Sequence, residues 1–314
     1  DSYDSAILLV PTQELDWVVL YTSADIEVMR SVTGIKDVRP FPELEEDLSV
    51  ALTDYRDWRI TQIRRWPLPA ALSKIWGRNN KVLFLNYPHN PTAHCVEPDF
   101  FREVVAIARR HELIVVHDFA YGQVCFDDYQ APSFLATPGA MDIGVEFTTM
   151  SKSFNMAGWR IGYCAGNSTI IKALGQIKGY YDYGIFQAIQ IASIIGLRNC
   201  SELVAEQALQ YQERRDVLLE GLDRIGWEGV AVPRAGMFVW AKLPQRYLDM
   251  GSMEFARRMM EDAEVAVAPG IGFGPEGEGY LRLALIENRP RLQQAVRQIG
   301  RAFQKWDSEG AAQD

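Results

Sequence analysis

The chain has 314 residues, 48% hydrophobic and 23% charged, and its Lys+Arg total of 32 against an Asp+Glu total of 41 gives a formal net charge of −9. This is ordinary globular usage, with material for a sizeable core in one large domain or two. It excludes a disordered tail protein and a binder of nucleic acid backbones, since the latter needs a basic face.

Residues 1–79 mix helical and strand periods, with Trp17, Trp58, Trp66 and Trp76 scattered among them and no glycine-rich turn, so no definite element is predicted there. The apolar run at residues 6–11 is too short to span a bilayer and follows no basic segment, which predicts a soluble, cytoplasmic protein without a membrane partner. From residue 80 the pattern becomes strand then helix, repeated. Residues 82–85 form a continuous apolar run of the kind buried on both faces of a parallel sheet, and Pro88, Asn90 and Pro91 then force a turn. Glu97 and Pro98 open a helix in which Phe101, Val104, Val105 and Ala108 recur at helical spacing, with Arg109 and Arg110 where the dipole favours cations. Residues 113–116 and 145–149 read as the next two buried strands. Such alternation predicts an α/β fold with a mostly parallel sheet.

Ser201 is placed to cap a helix over residues 201–225, with Val204, Ala208, Tyr211, Leu218, Leu222 and Ile225 in one stripe and Gly226 as its stop. A hairpin-like stretch at residues 237–243, a helix near 253–260, strands near Val265 and Leu281, and an amphipathic helix through Leu292, Val296, Ile299 and Phe303 complete an α+β pattern. The predicted division is a large domain over residues 1–200, then an interdomain helix and small domain over 201–314, with residues 308–314 disordered.

Three polar groups stand where open α/β sheets build their sites, outside the carboxyl ends of parallel strands: Asn90 after the first, Asp118 after the second and Lys152 after the third. Read singly, an Asp after a strand is a turn former and a Lys in a loop is solvated. Read together they suit pyridoxal phosphate catalysis, in which a lysine amine forms a Schiff base and an acid keeps the pyridine nitrogen protonated. Tyr87-Pro88-His89-Asn90-Pro91-Thr92, then His117-Asp118-Phe119-Ala120-Tyr121, then Thr149-Met150-Ser151-Lys152 with Arg160, resemble the signatures of class I and II aminotransferases of fold type I. The resemblance covers about residues 80–306.

That resemblance implies that Lys152 is the Schiff-base lysine and the base that moves the substrate proton. It implies that Asp118 pairs with the pyridinium nitrogen and that Tyr121 and Asn90 hydrogen-bond the ring's phenolic oxygen. Thr149, Ser151 and Arg160 are implied to hold the phosphate, for which hydroxyls and a forked guanidinium are suited donors. Tyr280-Leu281-Arg282-Leu283-Ala284 resembles the strand whose arginine, here Arg282, binds the substrate carboxylate beside Asn90. Phrases such as Tyr181-Asp182-Tyr183-Gly184 and Ala284-Leu285-Ile286-Glu287-Asn288-Arg289 are most similar to the glutamate-pyruvate (alanine) branch. The implied substrates are alanine and pyruvate with glutamate and 2-oxoglutarate, and the implied assembly is a homodimer with Tyr183 near the neighbouring subunit's cofactor. The family's glycine-bearing phosphate turn is not found, and Val10-Pro11-Thr12 is followed by Gln13, Glu14 and Leu15 where the family has a ring-stacking aromatic, with Trp17 a poor substitute, so the N-terminal part is expected to be missing or diverged.

The alternatives are a carbon-sulfur β-lyase sharing Lys152 and Asp118, and a protein of this fold that binds without turnover. His89, His94, His111 and His117 come with no Cys or carboxylate spacing that completes a ligand set, and with no C-x-x-C pair among Cys95, Cys125, Cys164 and Cys200, so no metal and no disulfide framework are expected. The glycines from Gly270 to Gly279 lack the Lys-Ser/Thr ending of a P-loop, and no G-x-S-x-G elbow accompanies Ser151.

Overall fold

The computed structural model describes strand residues 7–11, 18–22 and 37–40 and the continuous stretch 82–311, with side chains from 82 to 309. The chain divides into two compact units, Asp1–Asn79 and Asn80–Asp314. In the first, β1 (Ile7–Pro11), β2 (Val18–Thr22) and β3 (Asp37–Pro40) form a sheet in that order, β1 antiparallel to β2 and β2 parallel to β3. The sequence predicts no element here, yet ILLVP and VVLYT are apolar runs with β-branched residues, and they pair with Leu9 opposite Leu20. Trp17, Trp58, Trp66 and Trp76 lie outside the described residues.

The second unit is built on a sheet of β4 (Val82–Asn86), β5 (Ile114–Asp118), β6 (Gly144–Thr149) and β7 (Gly162–Gly166) in that order. The first three are parallel and β7 is antiparallel, so the mostly parallel α/β sheet predicted from sequence is present. Helix α1 (Pro98–Arg110) starts with Pro at its first turn and buries Phe101, Val104, Val105 and Ala108; Arg109 in its last turn pairs with Asp142, just before β6. One expectation is corrected. Strand β4 is not buried on both faces: Leu83 and Leu85 are, whereas Val82 is 43% and Phe84 53% exposed. A continuous apolar run reports hydrophobicity on both faces and cannot say whether both are covered.

After β7 come two helices that the sequence reading does not place, α3 (Ser168–Tyr181) and α4 (Gln187–Asn199), following the four-residue α2 (Met150–Ser153). Asn167 caps α3 by accepting from the amides of Thr169 (3.0 Å) and Ile170 (3.2 Å). Helix α5 (Ser201–Arg224) matches its predicted span, but Cys200 occupies the cap position and Ser201 is already helical. Gly226, at φ 77°, takes the left-handed conformation expected beyond a helix end.

The remaining elements are β8 (Phe238–Lys242), α6 (Ser252–Ala263), β9 (Ala268–Pro269), β10 (Tyr280–Ala284) and α7 (Arg289–Ala311). The stretch at 237–243 is not a hairpin: β8 pairs antiparallel with the distant β10, which lies between β8 and β9. The strand expected near Val265 is the two-residue β9 instead. Helix α7 continues to Ala311, so residues 308–311 are helical and not disordered, with the Ser308 hydroxyl donating to the Lys305 carbonyl at 2.6 Å. Trp227, Tyr247, Phe255, Phe303 and Trp306 pack edge to face or tilted at centroid distances of 5.1–6.1 Å between α5, α6 and α7. Among the described residues no helix is long and apolar enough to cross a membrane.

Gly221, an odd residue inside a long helix, has a packing reason. A Cβ there would lie 2.7 Å from Val296 Cγ2 of α7. Gly221→Val is expected to cost about 1–3 kcal/mol through overpacking, read as a lower urea midpoint at unchanged slope; an unchanged midpoint would mean that the two helices do not touch there.

Candidate active site

The carboxyl ends of β4, β5 and β6 and the loops leaving them carry the predicted residues other than Arg282. Asn86, the last residue of β4, spans two of them: its amide Nδ2 donates to the Asp118 carbonyl and its Oδ1 accepts from the Asn90 N–H, both at 2.9 Å. Asn86 is not among the residues the motifs single out; its signal in the sequence is an amide ending an apolar strand four residues before Asn90. Asn90 Oδ1 in turn accepts from Arg282 Nη1 at 2.8 Å, which joins residues separated by 192 positions.

Arg282 sits mid-strand in β10, with its guanidinium carbon 4.2 Å from the Phe238 ring centroid and 4.7 Å from that of Phe273. Its Nε is buried without a hydrogen-bond partner. Burial lowers its pKa, with Tyr121 pulling the other way. Phe273 is presented by a tight loop in which Gly270 and Gly277 press backbone to backbone: a Cβ on Gly270 would lie 1.9 Å from the Gly277 carbonyl oxygen, and one on Gly277 2.1 Å from that of Gly270.

Tyr121 is buried, and its ring centroid lies 6.0 Å from Lys152 Nζ. Burial, reinforced by the Asp118 charge and opposed by Arg282, pushes the phenol up to about 12, so it is a protonated donor at neutral pH. Lys152, on α2, has its amine lowered by burial and then by the Arg160 and Arg282 charges, which enlarges the neutral fraction available to accept a proton. Asp118 is raised by burial and held back by the Ala120 N–H, which donates to Oδ1 at 3.1 Å, and by His117.

Thr149 accepts from the Ser151 N–H at 3.1 Å, and its hydroxyl lies 2.9 Å from Ser151 Oγ and 3.2 Å from the Ile161 carbonyl. Arg160 is exposed in a left-handed conformation (φ 51°, ψ 47°), and its Nη1 donates to the Ala157 carbonyl at 3.0 Å. Asn90, Asp118, Tyr121, Lys152, Arg160 and Arg282 are thus linked by contact or by charge, Thr149 and Ser151 are paired with each other at the end of β6, and Tyr183, at φ 54°, is 92% exposed. Among the described residues no cluster of three or more His, Cys, Asp or Glu side chains is placed to hold a metal ion.

A family model described as aminotransferase class I and II matches residues 49–299. The glutamate-pyruvate aminotransferase AlaC of Escherichia coli is 51% identical over 223 residues, covering 71% of this chain and 54% of that protein. An LL-diaminopimelate aminotransferase of Moorella thermoacetica is 44% identical over 229 residues, covering 73% of this chain and 58% of that protein. The chain therefore spans little more than half the length of the curated relatives it matches. Among solved structures, the aromatic aminotransferase from Pyrococcus horikoshii superposes with a TM-score of 0.72 at 26% identity, covering 77% of this chain and 65% of that one. A probable N-succinyldiaminopimelate aminotransferase from Thermus thermophilus gives 0.69 at 36% identity, covering 75% of this chain and 62% of that one.

Proposed function

The chain belongs to the class I and II aminotransferases, and from that premise we propose that it moves an amino group between an amino acid and a 2-oxo acid with pyridoxal phosphate as cofactor. Alanine and pyruvate with glutamate and 2-oxoglutarate are the pair we infer, on the strength of the 51% identity to a glutamate-pyruvate enzyme. We assign the cytoplasm as its compartment, and a homodimer as its assembly in view of the exposed rings of Tyr180, Tyr181, Tyr183 and Phe186. We assign the cofactor to a large domain ending near residue 200.

The observation that carries the reading is the meeting of Lys152, Tyr121 and Arg282, with the lysine 6.0 Å from the tyrosine ring and its amine lowered by burial and two arginines. The donor set fits the cofactor. Two hydroxyls and the Arg160 fork suit a phosphate dianion, a protonated Tyr121 phenol and the Asn90 amide suit a phenolate oxygen, and Asp118 suits a cationic ring nitrogen. Bound there, pyridoxal phosphate supplies an electron sink for charge developing at the substrate α-carbon. Lys152 would take the proton from the substrate α-carbon and deliver it to the cofactor. Asp118 keeps a proton on the ring nitrogen. Arg282 would orient the substrate carboxylate, with its Nη1 held in place by Asn90.

The test is to titrate the purified chain with pyridoxal phosphate and then with alanine or LL-diaminopimelate, following the visible absorbance of the bound cofactor. Loss of that band with alanine, restored by pyruvate, supports the reading; loss with LL-diaminopimelate alone moves the substrate to that class, and no cofactor band at all ends it. Arg282→Lys is expected to raise the KM for alanine roughly 10–100-fold with a smaller change in kcat, since a charge-assisted bidentate contact is worth about 1.5–3 kcal/mol; equal KM values would remove the carboxylate from Arg282.

A further inference from the structure

Beneath the site, on the face of β5 opposite Asp118, His117 is 0% exposed. Its Nδ1 lies 2.9 Å from Glu146 Oε2 on β6, and its Nε2 lies 3.1 Å from the Tyr87 carbonyl oxygen, one residue past β4. Glu146 is itself buried; it accepts from the Phe134 N–H at 2.8 Å and from the Ser133 hydroxyl at 2.9 Å. The rings of Phe101, at 4.9 Å, and Phe119, at 5.1 Å, close around the imidazole and keep water away.

The chemistry of these partners is one-sided. A backbone carbonyl has no proton to give, and a carboxylate receiving two donors is an acceptor as well. With Glu146 ionised, both ring nitrogens face acceptors, and a neutral ring would set a nitrogen lone pair against an oxygen lone pair where no water intervenes. We propose that His117 is a positioning residue for Asp118: a ring protonated on both nitrogens, a clasp that ties the carboxyl ends of β4 and β5 to Glu146 in the middle of β6, and so holds the loops bearing Asn90 and Asp118 against the strand that leads to Lys152. The part concerning Asp118 rests on the function proposed above. A cation one residue from Asp118 also counters the burial that raises its carboxyl.

The test uses the full chain labelled with nitrogen-15 in histidine, the His117 signals being those lost in His117→Gln. The expected spectrum at neutral pH has a hydrogen on each ring nitrogen of His117, one of which is lost in Glu146→Gln; a bare ring nitrogen in the wild-type protein would overturn the clasp. For positioning, His117→Gln is expected to weaken pyridoxal phosphate binding about tenfold in the wild-type background and less than about twofold when Asp118 is already Asn, the non-additivity of coupled groups. Equal weakening in both backgrounds would reduce His117 to packing. Glu146→Gln, which still accepts from Phe134, replaces His117→Gln in this cycle if the latter does not fold. A chain that takes up no cofactor refutes the proposed function instead, and the nitrogen signals still decide the clasp.

Discussion

Lys152→Ala is expected to bind pyridoxal phosphate and to lose amino transfer by about 10⁴-fold or more, because one side chain serves as both nucleophile and proton carrier and each role is worth orders of magnitude. The substitution is mild for the fold. Lys152 is half-buried, and its ring contact is with Tyr121 at 6.0 Å, a distance at which a cation–π attraction is weak. Stopped-flow absorbance after mixing with alanine measures the step directly. Turnover above roughly a hundredth of wild type, against the general acid–base range, would assign the proton to another group.

Asp118→Asn is expected to cost roughly a thousandfold in the same step, comparable with removal of a preorganised electrostatic partner. The change is nearly isosteric, and the Asn oxygen still accepts from the Ala120 N–H that now meets Oδ1 at 3.1 Å. What is lost is the charge. The sign of the pH effect follows. Burial raises the Asp118 carboxyl from its ordinary value, so its ionised form is depleted earlier than usual as pH falls, and the wild-type rate should decline on the acid side as it protonates. The variant should lack this limb. A near wild-type rate for Asp118→Asn, or an identical acid limb, would contradict the role.

The parts of this chain that were legible in sequence are those where local chemistry repeats a global choice. Strands β4, β5 and β6 announce themselves by short apolar runs, α1, α5 and α7 by stripes at helical spacing, and the polar residues at strand ends by their position in an α/β layer. Asp118, Tyr121 and Lys152 fall together because the chain returns to one edge of the sheet after each crossover. What was not legible depends on distant partners. Helices α3 and α4 leave Ile177, Ile191, Ile194, Ile195 and Leu197 about half exposed, so their apolar residues mark no single face, and Gly175 and Gly179 weaken the pattern further. Strand β8 finds its mate in β10 rather than in its neighbour, which no turn residue could signal. Asn86 looks like a strand terminator until Asp118 and Asn90 are seen on either side of it. The polar pair of His117 and Glu146 hides inside apolar runs because its partners, Tyr87, Ser133 and Phe134 besides each other, lie at least a dozen residues away in sequence.

The close approach of Gly270 to Gly277 has an evolutionary reading. Each carbonyl occupies the space where the other residue's first side-chain carbon would go, so neither site can drift even to alanine without parting the strands of the loop and withdrawing Phe273 from Arg282. In a saturation library selected for growth, those two codons should come back unchanged while exposed Gly272 between them, where a Cβ would meet nothing, accumulates variety.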